Sequence, residues 1–237
     1  MSFWERCASK VDSNGGPTDT PACVLCYGDS LTAGYVTESP YTHEYKPWAP
    51  LVAAALGVRV DHCGMSGWTT QQMLDALDAE AAADVCDERR PGLRRLLRER
   101  EYTHVVLMAG TNDLAFGGQP EEIVARLRAL HEACHAAGVA RTVALTIPES
   151  AFSCPSATRF PSARRETNEL LKAYAEGAAP GCAFVAMDAE VPWTAKSPDW
   201  EPDGLHMSEA GYARFGAALS EKLREIVKTP RGQRPPD

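Results

Sequence analysis

Three polar residues, Ser30, Asp203 and His206, have the chemical types that a nucleophilic serine site requires. A serine hydroxyl is a poor nucleophile until a neighbouring base removes its proton. His206 can be that base, and it can then return the proton to a leaving alkoxide. Asp203 precedes the histidine by three residues, so one turn can present both side chains, and its carboxylate can hold the imidazole in the required tautomer. The sequence therefore predicts acyl transfer at Ser30.

The same reaction needs donors for an oxyanion, and three residues can supply them. The tetrahedral intermediate of acyl transfer carries a negative oxygen that fixed hydrogen-bond donors stabilise. The backbone N–H groups of Ser30 and Gly64 and the side-chain amide of Asn112 are the candidates. Glycine at position 64 lets the backbone approach its neighbours closely. We predict that these three residues form an oxyanion hole.

Each of these signals has an ordinary explanation when it is taken alone. A Gly-Asp-Ser segment or an Asp-Gly pair can be a plain turn, and a single asparagine can cap a helix. Asp29 and Asp113 are alternatives to Asp203 as the acid partner, although Asp29 more simply braces its loop. The prediction rests on the combination and order of Ser, Gly, Asn and His along the chain.

The elements that must position these residues follow from the pattern of apolar runs. Five runs are nearly continuous in apolar residues, as in strands that are buried on both faces of a parallel sheet. They cover residues 22–27, 58–62, 104–109, 142–147 and 183–187. Helical patterns separate them, at 47–56, 69–100 with a break near 91–92, 121–137, 163–176 and 209–228. This alternation predicts an α/β fold, in which ligands collect beyond the carboxyl ends of the strands.

Composition and charge restrict the partners of the chain. It has 237 residues, 44% of them apolar, and a formal net charge of −8. An acidic chain repels phosphate backbones, so nucleic acid is not expected as a partner. Neither a signal peptide nor a membrane span is visible, which predicts a cytoplasmic protein. We predict a flexible leader over 1–20, one domain over 21–228 and a flexible tail over 229–237; the oligomeric state stays open.

The cysteine and histidine spacings do not favour a metal or redox site. Cys23 and Cys26 form a CxxC pair, but residues three apart in a strand point to opposite faces, and no second pair completes a zinc site. His131 and His135 have metal-ligand spacing on a predicted helix, without an HExxH pattern. The eight cysteines are interpreted as reduced thiols in a chain too large to need disulfides.

Four sequence blocks carry a resemblance to a known family. They are GDSLT, CGMSGWTT, GTNDL and DGLH, and they extend from residue 28 to residue 206. In them the chain resembles the SGNH (GDSL-type) hydrolases, in particular the arylesterase and lysophospholipase-like branch. The resemblance implies a flavodoxin-like three-layer α/β/α sandwich with a five-stranded parallel sheet. It also implies hydrolysis of esters or thioesters through an acyl-enzyme, without a metal or an organic cofactor.

The resemblance assigns the same roles that the residue chemistry suggests. Ser30 corresponds to the nucleophile, Gly64 and Asn112 to the oxyanion donors, and Asp203 and His206 to the acid and base. One departure concerns the residue before the block II glycine. It is Cys63, where many members have asparagine, which puts the local hydrogen bonding in doubt. Nothing pairs Cys63 with a base, so it is a poor candidate nucleophile.

The sequence says less about the substrate. Trp48, Trp68 and Phe152 are candidates to line it, although each can equally seal the core, and His43 is a weaker candidate contact. We expect a small carboxylic ester. Carbohydrate O-deacetylation, thioester hydrolysis and acyl transfer are alternatives on the same site. A non-catalytic binder is disfavoured because every catalytic position is filled, and a flavin- or nucleotide-binding domain because GxGxxG and GxxxxGK[ST] motifs are absent.

Overall fold

The protein is a three-layer α/β/α sandwich around a five-stranded parallel sheet. The computed structural model describes residues 21–39, 42–157, 160–177 and 181–228. The leader and the tail predicted at the two ends lie outside these residues. The sheet strands are β1 (Cys23–Asp29), β4 (Arg59–Met65), β7 (His104–Met108), β8 (Arg141–Leu145) and β9 (Cys182–Val185). Their order across the sheet is β4-β1-β7-β8-β9, and every neighbouring pair is parallel.

Helices and two small ribbons connect these strands. The helices are α1 (Ser30–Ala33), α2 (Ala49–Leu56), α3 (Thr70–Asp75), α4 (Leu93–Glu99), α5 (Thr111–Ala115), α6 (Pro120–Ala136), α7 (Pro161–Gly177) and α8 (Glu209–Lys228). The antiparallel ribbons pair β2 (Tyr35–Ser39) with β3 (Thr42–Tyr45), and β5 (Ala82–Ala83) with β6 (Arg89–Arg90). The five predicted strands and the alternation with helices are therefore confirmed.

Alternate residues of each strand supply two separate hydrophobic cores. In β1, Leu25 and Tyr27 face the core shared with α3, α4, α6 and α7. Val24 and Cys26 face the core shared with α2 and α8. This alternation follows from the period of two in a strand. Cys23 and Cys26 accordingly pack on opposite faces of the sheet, as predicted.

The prediction of a long helical region over residues 69–100 is wrong. The helix α3 ends at Asp75 and α4 begins only at Leu93, with the β5–β6 ribbon between them. The cause is Asp84, whose buried carboxylate accepts hydrogen bonds from the backbone N–H groups of Ser66, Cys86 and Glu88. These bonds replace helical ones and tie the ribbon to the loop after β4. The segment between α1 and α2 also contains regular structure, the β2–β3 hairpin.

A buried arginine in α7 holds two of the loops that follow the strands. The Arg164 side chain is 3% exposed and lies against the carboxylates of Glu149 and Asp188, at 3.3 Å from each. Its guanidinium also donates to the backbone oxygens of Ser153 and Ile147, at 3.1 and 3.2 Å. Since an arginine carries five donors in a rigid fork, one side chain can fix several chain segments at once. Arg164 therefore fixes the loop after β8 and joins it to the loop after β9.

Replacement of Arg164 by alanine is expected to destabilise the fold strongly. Two carboxylates would lose their cation in a largely buried place, which typically costs about 3–5 kcal/mol of unfolding free energy. Urea unfolding followed by circular dichroism measures the change. The control is Arg165→Ala, because Arg165 is the exposed neighbour on the same helix, and its effect should stay within about 0.5 kcal/mol. Equal effects of the two variants would contradict the assigned role.

Candidate active site

Ser30 lies where the first strand of the sheet passes into a helix of one turn. The preceding residue, Asp29, is the N-cap of α1, and its carboxylate accepts a hydrogen bond from the Leu31 N–H at 3.0 Å. The helix ends at Gly34, which has φ +77°. A left-handed residue is a common helix stop and is best filled by glycine. The turn places Ser30 at the carboxyl end of β1, where sequence analysis expects ligands to collect.

His206 and Asp203 reach Ser30 from the segment that precedes α8. The Nε2 atom of His206 lies 2.9 Å from the Oγ atom of Ser30, although the two residues are 176 positions apart. The Nδ1 atom lies 2.7 Å from Oδ2 of Asp203. In the tautomer with Nδ1 protonated, Nδ1–H donates to Asp203 and Nε2 accepts from the serine hydroxyl. The structure thus brings together the three residues that the sequence predicted as nucleophile, base and acid.

Asp203 is held as an anion by its own turn. One carboxylate oxygen accepts hydrogen bonds from the Leu205 and His206 N–H groups at 2.8 and 2.9 Å, which leaves the other oxygen for the imidazole. Burial raises the pKa of Asp203, but these hydrogen bonds outweigh it, and the pKa lies below its usual value. A carboxylate that stays ionised can stabilise a positive imidazolium through the reaction.

Of the predicted oxyanion donors, Gly64 lies on β4 and Asn112 follows β7, the two strands that flank β1 in the sheet. Gly64 is paired with Gly28 in the register of β4 and β1. A Cβ atom at position 64 would lie 2.2 Å from the backbone nitrogen of Ala33. Only glycine therefore allows α1, which carries Ser30, to pack directly on β4. Asn112 lies in α5 after β7, and its amide nitrogen donates to the Trp68 carbonyl at 2.9 Å. An amide has a second N–H, which an oxyanion could receive.

The two alternative acids have other partners. Asp113 is buried and accepts hydrogen bonds from the backbone N–H and the hydroxyl of Thr70, at 2.9 and 2.5 Å. Asp29 is 1% exposed and caps α1. Its burial raises its pKa to about 7, outweighing the hydrogen bond from Leu31 and the attraction of His206. Neither side chain shows a hydrogen bond to the imidazole, so Asp203 is the aspartate that contacts it.

A cavity of about 200 Å³ lies between the segments that carry Asn112 and His206. Its lining is mostly apolar and consists of Thr111, Leu114, Ala115, Ile147, Ser150, Phe152, Ser153, Phe160 and Leu205. Thr111 is the neighbour of Asn112, and Leu205 is the neighbour of His206. The cavity is smaller than the roughly 300–1,000 Å³ of sites for drug-sized ligands. It therefore has room for a small apolar group beside the segments that carry Asn112 and His206.

A wider groove of about 810 Å³ lies on the edge strand β4, and it includes none of these residues. Asp61 in its floor accepts a hydrogen bond from the Tyr102 hydroxyl at 2.9 Å and pairs with Arg59 and Arg100. The polar side chains of this groove therefore already bind one another. Of the two, the smaller cavity is the one lined by the sequence neighbours of Asn112 and His206.

The three candidate substrate-lining residues have different positions. Phe152 lines the 200 Å³ cavity and is 40% exposed. Trp68 is 7% exposed, and its indole N–H donates to the Ala83 carbonyl. The candidacy of Trp48 is corrected, because its side chain has no exposed surface, packs on Phe215 and donates to the Leu31 carbonyl. It supports α1 from the core.

The histidines and cysteines that were set aside lie in structural environments. His131 is fully buried, and burial lowers its pKa to about 3. His135 contacts the Val139 carbonyl and the Thr142 hydroxyl at 3.3 Å. Burial raises the pKa of the Cys63 thiol to about 12, so it is not a thiolate nucleophile at neutral pH. Across the part of the chain that the structure describes, no three His, Cys, Asp or Glu side chains form a metal-binding group.

The sequence analysis did not predict the aromatic contact between Tyr35 and His206. The Tyr35 ring lies with its centroid 4.5 Å from that of His206. It also missed the cavity walls formed by Leu114, Ile147 and Phe160. The position of Tyr35 directly after the GDSLTAG segment was the only available signal.

Among the helices of the described residues, none is long and apolar enough to cross a bilayer.

Comparisons with solved structures find the same fold in other proteins, among them two carbohydrate esterases. TesA matches with a TM-score of 0.64 and 20% identity, over 85% of this chain and 98% of that one. A carbohydrate esterase of family 3 from Talaromyces cellulolyticus matches with 0.63 and 18%, over 87% and 98%. A family 3 carbohydrate esterase from Clostridium thermocellum matches with 0.61 and 18%, over 87% and 97%. At these identities the likeness concerns the fold. No curated protein matches the chain.

A comparison with family models gives the classification. The model of the GDSL-like lipase/acylhydrolase family matches residues 26–214. This range includes all four sequence blocks and the three hydrogen-bonded residues Ser30, His206 and Asp203. The match begins within β1, covers the other four strands of the central sheet and extends into α8. The chain therefore belongs to the GDSL-like lipase/acylhydrolase family.

Proposed function

We propose that the protein hydrolyses small carboxylic esters through an acyl-enzyme formed on Ser30. The observation that carries the proposal is the continuous chain from Ser30 Oγ to His206 Nε2 and from His206 Nδ1 to Asp203, at 2.9 and 2.7 Å. Both distances lie within the reach that nucleophile and base need for proton transfer.

The first half of the reaction acylates Ser30. As Oγ attacks the ester carbonyl, its proton passes to Nε2 of His206, and Asp203 stabilises the imidazolium that results. The imidazolium then protonates the alkoxide leaving group as the carbon–oxygen bond breaks. In the second half, His206 takes a proton from water, the hydroxide attacks the acyl-enzyme, and the proton returns to Oγ of Ser30. The net reaction consumes one water and releases an acid and an alcohol.

The oxyanion of both tetrahedral intermediates is assigned to the Ser30 and Gly64 backbone N–H groups and the Asn112 amide. The Ser30 N–H is the first of α1, and the first N–H groups of a helix have no partner within it. The hydrogen bond from Asn112 to the Trp68 carbonyl fixes the orientation of the amide. Such preorganisation is what makes donors effective at a developing charge.

The acyl group of the substrate is assigned to the 200 Å³ cavity. The cavity is lined by Thr111 and Leu205, the neighbours of Asn112 and His206, and we assign to it the acyl chain that extends from the reacting carbonyl. Its size favours short acyl groups. Acetyl groups on sugars are compatible with this limit, and two structural neighbours are carbohydrate esterases. Sugar deacetylation, thioester hydrolysis and acyl transfer would use the same residues with a different second substrate or leaving group.

The Ser30→Ala variant is expected to lose turnover of p-nitrophenyl butyrate. Without Oγ no acyl-enzyme can form, and loss of a serine nucleophile can lower kcat on the order of 10⁶-fold. Mass spectrometry after treatment with a serine-reactive phosphonate provides a second readout, because the adduct should be absent from the variant.

The control for this experiment is Ser220→Ala. The Ser220 hydroxyl donates to the Gly216 carbonyl within α8, remote from the catalytic centre. This variant should be labelled by the phosphonate and should hydrolyse the ester. A Ser30→Ala protein that is still labelled or still active would refute the assigned nucleophile.

The Asn112→Ala variant tests the oxyanion donor. Loss of one such donor lowers kcat by roughly 10²–10³-fold. Steady-state kinetics on the same ester give the value, and a thermal unfolding midpoint checks that the fold persists. Gln119→Ala, at an exposed residue between α5 and α6, serves as control and should stay within about twofold of wild type. A loss for Asn112→Ala of only a few-fold would remove Asn112 from the proposed oxyanion hole.

The Ala115→Leu variant tests the acyl cavity. Ala115 is exposed at the end of α5 and lines the cavity, so a larger side chain can be accommodated by the fold while it narrows the space. We expect kcat/KM for a hexanoate ester to fall roughly 10-fold or more relative to that for acetate. Ala115→Ser, which keeps the volume, should preserve the wild-type ratio. An unchanged chain-length profile in Ala115→Leu would place the acyl group elsewhere.

A further inference from the structure

The β2–β3 hairpin is anchored at its base to the helix that carries Ser30. Lys46 donates its backbone N–H to the Gly34 carbonyl at 2.7 Å, which closes the two ends of the hairpin on each other. Trp48, just beyond the hairpin, donates its indole N–H to the Leu31 carbonyl at 3.0 Å. The hairpin and the nucleophile therefore belong to one packed unit.

The first residue of the hairpin, Tyr35, is also tied to the other half of the site. Its backbone carbonyl accepts a hydrogen bond from the Tyr212 hydroxyl at 3.0 Å. Tyr212 is buried in α8, the helix that begins three residues after His206. The Tyr35 ring contacts the His206 imidazole with centroids 4.5 Å apart and an angle of 40° between the planes. The backbone of Tyr35 is thus fixed by the same helix that follows the histidine.

A second layer of rings supports Tyr35. His43 stacks on it, with centroids 5.1 Å apart and an interplanar angle of 17°. Tyr45 packs edge-on against both rings, at 6.2 Å from Tyr35 and 5.1 Å from His43. All three residues come from the two strands of the hairpin, which makes the aromatic cluster Tyr35–His43–Tyr45 a feature of this ribbon. The cluster limits the directions in which the Tyr35 ring can move.

A ring at this distance affects the step in which the imidazole becomes a cation. When Oγ of Ser30 attacks, its proton moves to Nε2, and the positive charge spreads over the imidazolium. An aromatic ring attracts a cation within about 6 Å of its centroid. Asp203 compensates the charge at Nδ1, whereas Tyr35 contacts the ring itself. Contact with Tyr35 also restricts rotation of the imidazole away from Ser30.

We propose that Tyr35, held by the hairpin, is a positioning residue that keeps the His206 imidazole directed at Ser30 and stabilises its protonated form. The proposal rests on the function proposed above for Ser30 and His206. It adds to the hydrogen-bonded chain a nonpolar contact that no motif of the sequence indicates. Tyr35 touches the imidazole and not the reacting oxygen, so it acts through His206.

Other ionisable groups also face this pair and contribute to its pH dependence. They are Asp203 and Glu201 from the loop before α8, Asp29 from β1, Tyr212 from α8, and His43 and Cys86 around the Tyr35 ring. Burial and the neighbouring Cys86 and Asp203 raise the pKa of Tyr35, so the ring stays a neutral phenol across the working range. The test therefore changes Tyr35 and leaves these groups in place.

The first measurement compares Tyr35→Leu with Tyr35→Phe over a range of pH. Tyr35→Leu should lower kcat about 3- to 30-fold, with KM within about twofold, since the contact is to the base and not to the substrate. The acidic midpoint of its kcat/KM profile should move to lower pH, because an imidazolium without the ring is less stable. Tyr35→Phe keeps the ring and should restore both values.

The second measurement does not depend on turnover. In the Ser30→Ala background, an NMR titration follows the imidazole signals of His206. Adding Tyr35→Leu should lower the midpoint by about 0.5–1.5 pH units. Tyr174→Leu, a tyrosine on α7 that contacts His131 and not His206, is the control and should leave the midpoint in place. Thermal midpoints of all variants check that each protein is folded.

The outcomes separate this proposal from the proposed function. If Ser30→Ala abolishes hydrolysis but Tyr35→Leu leaves kcat and both midpoints unchanged, the role of Tyr35 is refuted while the esterase assignment stands. A change confined to KM would make Tyr35 a substrate contact and would also refute the proposal. If hydrolysis does not require Ser30, the titration midpoint still reports whether the ring stabilises the imidazolium.

Discussion

The hydrogen bond between Ser30 and His206 is the interaction on which the candidate site depends, and it joins two ends of the fold. It requires two segments 176 residues apart to meet within 2.9 Å. On one side, α1 is only one turn long and is placed by direct packing on β4, at a position where a Cβ on Gly64 would collide with Ala33. On the other side, the histidine turn is fixed to α8. Small displacements of either support would separate the two atoms.

Two aspartates near this contact illustrate how environment decides the charge of a carboxyl group. Asp203 accepts hydrogen bonds from two backbone N–H groups and the imidazole, and its pKa lies below the usual value. Asp29 is more deeply buried and accepts one bond from Leu31, and its pKa is raised to about 7. Asp203 is the proposed acid partner of His206, and Asp29 directly precedes Ser30 in the chain. The one that contacts the base is the one whose ionised form is stabilised by hydrogen bonds.

The sequence was sufficient for the sheet and for the polar residues at its edge, but not for contacts that depend on distant partners. The strands are strongly apolar because both faces are covered, so their existence and type are visible locally. Ser30 and Asn112 follow strand ends directly, and His206 and Asp203 share one turn. Their placement therefore needed only the α/β topology. In this sense the local pattern and the fold agree.

Residues 76–92 show why the remainder could not be predicted. The periodicity of this segment resembles a helix, yet Asp84 captures backbone N–H groups from Ser66 and from its own turn. The hydrogen bond from Ser66 to Asp84 joins residues 18 positions apart. It outweighs the helix propensity of the segment, since such propensity is a weak local effect. The interpretation of Trp48 failed for a similar reason. Its indole is directed into the core, where it donates to the Leu31 carbonyl and packs on Phe215 of α8.

The cavity and the aromatic contact on His206 are built from different parts of the chain. The cavity is formed by α5, the loop after β8 and Leu205, and Arg164 holds that loop from α7. The hairpin contributes Tyr35 to His206 and no residue to the cavity lining. Under the function and the Tyr35 role proposed above, a change in the cavity is expected to alter which acyl group fits, whereas a change in the hairpin is expected to alter the base for every substrate. Because the cavity lining includes none of the hairpin residues that the structure describes, acyl selectivity and the strength of the base are expected to vary independently.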